Sequence, residues 1–338
     1  MSSKVSVIVP AFNAELYIGT FIQSIQNQTY DNWELIIVDD ISKDSTFSII
    51  SKYAQKDSRI IAVQRNRAPK GSVTCRNIGQ SMATGDYIIH FDADDIVKKF
   101  CLEQRVEFME DNPNIEYATF KGASVYEKDG KLVYEGRYWG NDPHKDLLSC
   151  FLSVNYPFSV WNNIYRADIF KNILWDEKVK IYTDFSYIVP VLISKRKHIF
   201  FEKAKIDYLY RVNMPGAMTS NFIADEKYQS TIYLFDKTMK QIEQLSSFRK
   251  YKKNFKRYYL LQFERLLISG TMEQIENFIK YYSNYYKDSF KLHIIYLSLR
   301  KDICNGRKKI FKRKVHLLIY SICLQKELLK WIIGVTRK

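Results

Sequence analysis

The sequence predicts a mostly parallel α/β sheet flanked by helices and followed by a helical C-terminal region. Three observations carry that prediction. Through the first hundred or so residues, short and nearly unbroken apolar runs alternate with segments whose apolar residues recur every three or four positions, the pattern of strands buried on both faces between helices. Several runs stop abruptly in polar residues: Pro10 to Asn13 after the first, Asp39 and Asp40 after the second, Asp92 to Asp95 after the fourth. Beyond residue 225 the helical spacing persists with no strand alternation.

In order, Val5 to Val9 read as a strand closed by Pro10, and the stretch Glu15 to Gln28 spaces Leu16, Ile18, Phe21, Ile22 and Ile25 as a helix. A second strand opens at Trp33, and the turn and helix after it offer Ser42 or Asp44 as N-caps. Ile60 begins a third strand. From Gly71 a helix runs until it is stopped near Gly85, and it delivers the chain into Tyr87 to Phe91. Ile96 to Glu110 reads as a helix that Asp95 would cap. Two β-like runs flank the Lys128 to Lys131 turn, a hairpin signal. Three segments follow from this reading: 1–105, 106–224 and 225–338.

Composition limits the function classes. At 46% apolar and 15% aromatic the chain is globular rather than disordered. The cysteines (Cys75, Cys101, Cys150, Cys304, Cys323) are odd in number and scattered, so they read as reduced thiols rather than a disulfide framework or a zinc site. The first strand begins almost at once, leaving no room for a signal peptide, and no run of about 18 uncharged apolar residues occurs. A cytoplasmic protein is expected, possible attachment being to a membrane surface. The net charge of +15 is unevenly placed: residues 1–224 carry 27 basic and 27 acidic side chains, residues 225–338 carry 25 and 10. A neutral body with a basic appendage is implied.

The chemistry concentrates at Asp92, Asp94 and Asp95. Three carboxylates in four positions repel one another, and a hard divalent cation such as Mg²⁺ or Mn²⁺ removes that cost by taking oxygen ligands. The group also follows a strand, and open parallel sheets bind ligands at the carboxyl ends of their strands. An acidic helix cap is the competing reading. Strand ends of one parallel sheet point the same way, so Pro10 to Asn13, Asp39 and Asp40, and the acid trio should share a crevice.

Taken together, SVIVPAFNAE, QTYDNWELIIVDDISKDST and RNIGQSMATGDYIIHFDADD resemble the nucleotide-sugar-binding half of family 2 glycosyltransferases, enzymes of GT-A fold. The resemblance is strong over residues 4–105, weaker from 155 to 220 and absent after 225. It implies inverting transfer of a sugar from a nucleotide diphosphate donor, usually UDP-linked, with a divalent metal, Mn²⁺ or Mg²⁺. By the same resemblance Pro10, Ala11, Phe12 and Asn13 line the nucleoside pocket and Asp40 meets the base, while Asp39 holds either ligand or loop. Arg76 matches a position near the donor. Asp92, Ala93 and Asp94 match the DxD motif, with Asp94 or Asp95 on the metal. Trp161 matches the acceptor side, and Tyr210 and Arg211 match a loop that closes over the diphosphate. The catalytic base comes from a Glu-Asp pair in the family; Thr183 and Asp184 stand there, which leaves Asp184 as the base. Simple structural readings stand beside these: core packing for Phe12 and Trp161, a surface arginine for Arg76, a helix cap for Asp184, a surface loop at 210–216.

After residue 225, two basic clusters stand out at 248–257 and 306–314. Residues 315–334 start apolar, but Gln325, Lys326, Glu327 and Lys330 interrupt the rest, making an interfacial helix more fitting than a spanning one. The expected function is transfer of a sugar to a glycan or lipid-linked acceptor in bacterial surface-polysaccharide assembly, by a protein held at an anionic membrane surface. Two alternatives are a metal-dependent nucleotidyltransferase, which lacks a glycine-rich phosphate loop, and a non-enzymatic adaptor, against which no nucleic-acid motif accompanies the charge.

Overall fold

The computed structural model describes residues 2–212, 224–289 and 291–292. The chain opens with β1 (Val5–Ala11), α1 (Ile18–Gln26), β2 (Trp33–Asp39), α2 (Thr46–Ala54), β3 (Ile60–Gln64), α3 (Ser72–Met82) and β4 (Tyr87–His90). It continues through β5 (Ile96–Val97), α4 (Cys101–Asp111), β6 (Tyr117–Thr119), β7 (Gly122–Lys128), β8 (Lys131–Trp139) and α5 (Leu147–Leu152). A single 3₁₀ turn (Val160–Asn162) then precedes β9 (Asn163–Arg166), α6 (Ala167–Phe170), α7 (Thr183–Ile193), β10 (His198–Phe200) and β11 (Tyr208–Arg211). Three helices end the described chain: α8 (Asp225–Glu243), α9 (Phe248–Ser269) and α10 (Met272–Ser283).

A seven-stranded sheet, ordered β10-β6-β9-β4-β1-β2-β3, holds the core. Strands β4, β1, β2 and β3 are parallel, and β9 runs antiparallel to both of its neighbours. The expected α/β class is therefore the observed one. Residues Val5, Val7, Val9, Leu35, Ile37 and Ile89 are fully buried, together with the inner face of α1 (Ile18, Phe21, Ile22, Ile25). At about 25 cal/mol per Å² of apolar area, that shared burial outweighs local propensity in fixing where these elements sit.

Some boundaries differ from the sequence reading. Pro10 lies within β1 rather than closing it. The pairing of β1 with β4 stops at Ile8, so at Pro10 the strand has one bonded neighbour, β2, and the missing N–H is tolerated. The helix expected from Ile96 begins at Cys101 instead. Ile96 and Val97, both β-branched, pair antiparallel with Leu209 and Tyr208, making β5 the edge of a second, four-stranded sheet, β5-β11-β7-β8. The hairpin between β7 and β8 turns at Asp129 and Gly130, with φ of 51° and 70°, the doubly positive geometry that tight hairpins favour.

One buried ion pair ties α4 to the entry of β11. Arg105 donates two hydrogen bonds of 2.8 Å to Asp207, and neither side chain is exposed. Arg105 also donates to the Trp161 carbonyl at 3.0 Å and to the Asn163 carbonyl at 3.4 Å, so four of its five N–H groups are met.

The chain divides into two compact units. The first contains both sheets, their flanking helices and Gln229–Gln241 of α8; the second contains α9 and α10. Most of α8 thus falls in the first unit, where Tyr233 donates to Asp176 at 2.9 Å and Lys180 N–H donates to the Ser230 hydroxyl at 2.7 Å. In the second unit Phe255, Tyr259 and Phe263 of α9 are buried with Phe278 and Tyr282 of α10. Arg249, Lys253 and Arg257, one turn apart, are exposed on α9. The basic cluster at 306–314, the apolar stretch at 315–334 and the Pro215–Gly216 turn lie outside the described residues. Among the described residues no helix is long and apolar enough to cross a membrane. Cys75, Cys101 and Cys150 are buried, and none of them is in a disulfide among the described residues.

Candidate active site

The parallel register puts the ends of β1 and β2 side by side, with Ala11 opposite Asp39, and Asp40 N–H donates to the Ala11 carbonyl at 2.8 Å. Asp39 is spent on the loop: it accepts from Ser42 N–H at 3.0 Å, from Gln64 Nε2 at 3.2 Å and from the Ser42 hydroxyl. Asp40 is buried and paired with Arg65, a residue the sequence did not single out. Asn13 adopts φ 48° and accepts from Lys43 N–H at 3.0 Å, closing the same loop. Ala11 is buried and Pro10 partly so. Phe12, by contrast, is 43% exposed, which removes core packing as its explanation. The Lys70 ammonium stands 3.9 Å from the centre of its ring.

Helix α3 joins two strand ends through consecutive residues. Cys75 lies beside Asp40, and its thiol is pushed up to about 12, first by burial and then by that carboxylate. Arg76 is not a surface arginine: it is 4% exposed, donates to the Phe91 carbonyl at 3.3 Å, and forms an ion pair with Asp92. Its guanidinium also lies 4.9 Å over the Trp175 ring.

In the acid loop the three carboxylates part company. Asp92 is partly open, and Asp94 is pushed up to about 6, chiefly by burial and then by Asp92. Asp95, expected as a metal ligand, instead turns inward at 1% exposure, accepting from the Tyr208 hydroxyl at 2.6 Å and from Arg211 N–H at 2.7 Å. Ala93 between them is buried. Among the described residues, Asp142, His144 and Glu202 beside β10 form the one three-ligand cluster, largely exposed, and the acid loop does not make a three-carboxylate cage. Asp92 and Asp94 still suit a hard cation, which is held by one or two carboxylates and completes its shell with phosphate oxygens and water.

Asp184 stands in the first turn of α7 without acting as its N-cap. That place belongs to Tyr182, at φ 59°. Its carboxyl accepts from the Ser159 hydroxyl, and its proton affinity is raised first by burial and second by Asp92. Tyr210 marks where the groups meet: beyond burial, the charges that bear on its hydroxyl are Asp92, Asp95, Asp94 and Asp184. Arg211 pairs with Glu127 at 3.3 Å and lies over Tyr17. Trp161, offered either as an acceptor-facing ring or as a packed one, is 2% exposed, stacked on Tyr208 at 4.7 Å and on Tyr210 at 5.8 Å. A Cβ on Gly122 would come within 2.3 Å of its ring, so the indole is packed rather than presented.

Arg65, Ser159 and Tyr208 escaped the sequence reading. For Arg65 a signal existed: it directly follows β3, whose Gln64 lies in register with Asp39, at the same rim of the sheet.

The sequence model of Glycosyl transferase family 2 matches residues 6–174, half of the 338-residue chain. An uncharacterised glycosyltransferase of Haemophilus influenzae is 36% identical over 174 residues, 49% of this chain and 53% of that protein. The minor teichoic acid biosynthesis protein GgaB of Bacillus subtilis is 28% identical over 244 residues, 69% of this chain and 26% of that one. The chain thus spans about half or less of the length of these curated relatives. Among solved structures, residues 1–349 of S. aureus TarS with UDP-GlcNAc superpose with a TM-score of 0.62 at 20% identity, covering 92% of this chain and 90% of that 1–349 segment. The mannosyltransferase PcManGT of Pyrobaculum calidifontis, in complex with GDP-Man and Mn²⁺, gives 0.52 at 16% identity, covering 96% and 86%. At those identities the likeness is one of fold, the GT-A fold.

Proposed function

The chain belongs to glycosyl transferase family 2, and from that premise we propose that it moves a sugar, with inversion, from a nucleotide diphosphate donor to a hydroxyl of a glycan or lipid-linked acceptor. The observation that carries the reading is the acid loop at the rim of the sheet, with Arg76 bonded to Asp92 and the loop tied to Tyr208, and with Asp92 and Asp184 each bearing electrostatically on Tyr210. A nucleotide diphosphate is the ligand such a rim suits: an exposed ring at Phe12 to support a flat base, a carboxylate at Asp40 kept in place by Arg65, and acids beyond it for a cation. UDP is the favoured nucleotide, given the UDP-GlcNAc bound by TarS, and a surface polymer is the favoured product, given the teichoic acid role in the name of GgaB.

Asp94, with Asp92, would hold a divalent cation, Mn²⁺ or Mg²⁺, which when bound neutralises charge on the departing nucleotide diphosphate. The residues of the chain do the rest. Arg76 fixes the Asp92 carboxylate. Asp184 takes the proton of the attacking acceptor hydroxyl, and its raised proton affinity brings it nearer to the working pH than an exposed aspartate would be. The Ser159 hydroxyl, donating to the same carboxylate, orients it. Thr183 supplies no second charge, so the base acts alone. Tyr210 and Arg211 border the space in which the diphosphate would lie. The expected place of work is the cytoplasmic side of a membrane, whose anionic surface would attract the exposed basic row of α9.

The decisive experiment compares Asp184→Asn with the wild type by calorimetry and by product formation. UDP with Mn²⁺ is expected to bind both proteins alike, while transfer falls by a factor of about 10² or more in the variant. An active Asn variant removes Asp184 as base, and a wild type that takes up no UDP with Mn²⁺ removes the donor reading.

A further inference from the structure

We propose that the Tyr208 hydroxyl is the positioning group of the acid loop, bridging its two ends so that Asp92 and Asp94 face the cation site; the inference rests on the donor-binding reading above. The bridge is made by one oxygen. Tyr208 Oη donates to Asp95 Oδ2 at 2.6 Å and accepts from Asp92 N–H at 3.1 Å. The other oxygen of Asp95 accepts from Arg211 N–H at 2.7 Å, three residues along the same strand. Both ends of the loop are thereby fastened to β11, and the backbone pairs Tyr208 with Val97 and Leu209 with Ile96 extend the attachment just past it.

The ring that carries this hydroxyl is held on its faces. It stacks with Phe91 at 4.7 Å and 24°, and with Trp161 at 4.7 Å and 17°. Phe91 directly precedes Asp92, so one tyrosine grips the residue before the loop by its ring and the loop itself by its hydroxyl. Asp95 gains a purpose from this arrangement. A carboxylate at 1% exposure with no lysine or arginine side chain bonded to it among the described contacts is costly, and its two accepted hydrogen bonds offset that cost only while Tyr208 and Arg211 are in place. Groups that orient metal ligands without touching the metal change its affinity by about 10 to 100-fold. Tyr208 and Asp95 occupy that relation to Asp92 and Asp94.

The test is Tyr208→Phe, which removes a single oxygen and leaves the stack and the strand intact. Mn²⁺ is titrated calorimetrically into wild type and variant, each saturated with UDP and held well below its melting transition. The dissociation constant for Mn²⁺ is expected to rise about tenfold or more, while UDP without metal binds both proteins alike. A purely structural tyrosine would lower the melting temperature and leave the Mn²⁺ affinity of the folded protein unchanged, and that result overturns the proposal. Should Tyr208→Phe fail to fold, Asp95→Asn is used instead. It keeps the shape but offers one oxygen where two donors need one each, so the same selective loss of Mn²⁺ affinity is expected; unchanged affinity overturns the proposal equally. If the wild type itself binds no Mn²⁺ in the presence of UDP, the donor reading has failed, a result distinguishable from equal binding by wild type and variant.

Discussion

Asp94 carries a tension that a bound cation would relieve. Burial and the neighbouring Asp92 lift its carboxyl to about 6, so the empty loop would be easier to hold together without that charge. Replacing Asp94 with Asn removes a repulsion along with a metal ligand. The expected outcome is a melting temperature equal to or slightly above that of the wild type, together with loss of the extra stabilisation that UDP and Mn²⁺ confer on the wild type. Thermal denaturation with and without the pair checks both halves, and a variant still stabilised by UDP and Mn²⁺ would remove Asp94 from the site. The sequence revealed which residue types cluster here but not which way they turn. Asp92, Asp94 and Asp95 are indistinguishable as letters, and what separates them is the Tyr208 hydroxyl, a contact 113 residues away from Asp95. The choice between packing and presentation at Trp161 was hidden for the same reason, since the glycine that makes room for its ring, Gly122, is distant in sequence.

At the scale of elements, strands flanked on both sides were legible because their apolar runs are continuous, and β1 to β4 lie where those runs lie. The short edge strand β5 was not, since two residues are too few for a period and their partner strand comes more than a hundred positions later. Strand β10 was equally obscure, and it sets a pH dependence. His198 stacks on Tyr117 at 4.3 Å and meets the Thr119 hydroxyl at 2.7 Å, while burial drives its pKa from 6.5 down to about 3, against a smaller opposing effect of Asp142. Between those values the unfolded chain binds a proton that the folded one refuses, so stability rises with pH across the interval and is lost as pH falls below 6.5. Each such histidine contributes up to about 1.4 kcal/mol per pH unit. Buried His90, whose pKa is also lowered, acts in the same direction. Urea titrations between pH 7 and 4 are expected to show a shallower slope for His198→Phe than for the wild type; identical slopes would show that His198 is protonated without cost.

Across the whole molecule, charge is the property that separates the chain before residue 225 from the chain after it. Residues 1–224 are neutral in sum, which suits a rim that collects acids for a cation, whereas residues 225–338 carry a surplus of 15 positive charges. On α9 part of that surplus is a regular row, Arg249, Lys253 and Arg257, exposed at one-turn intervals opposite the buried Phe255, Tyr259 and Phe263. A basic residue near an anionic bilayer contributes about 1 kcal/mol, so three in a row amount to roughly two powers of ten in affinity. Reversing all three to Glu should therefore weaken cosedimentation with phosphatidylserine-containing vesicles by at least about 100-fold at low salt, while leaving binding of UDP with Mn²⁺ unchanged. Because the attraction is screened, the same loss should be reproduced in the wild type by raising the salt concentration several-fold. Vesicle binding that survives both charge reversal and salt would show that the row on α9 is a solvated helix face and that attachment, where it occurs, comes from elsewhere in the chain.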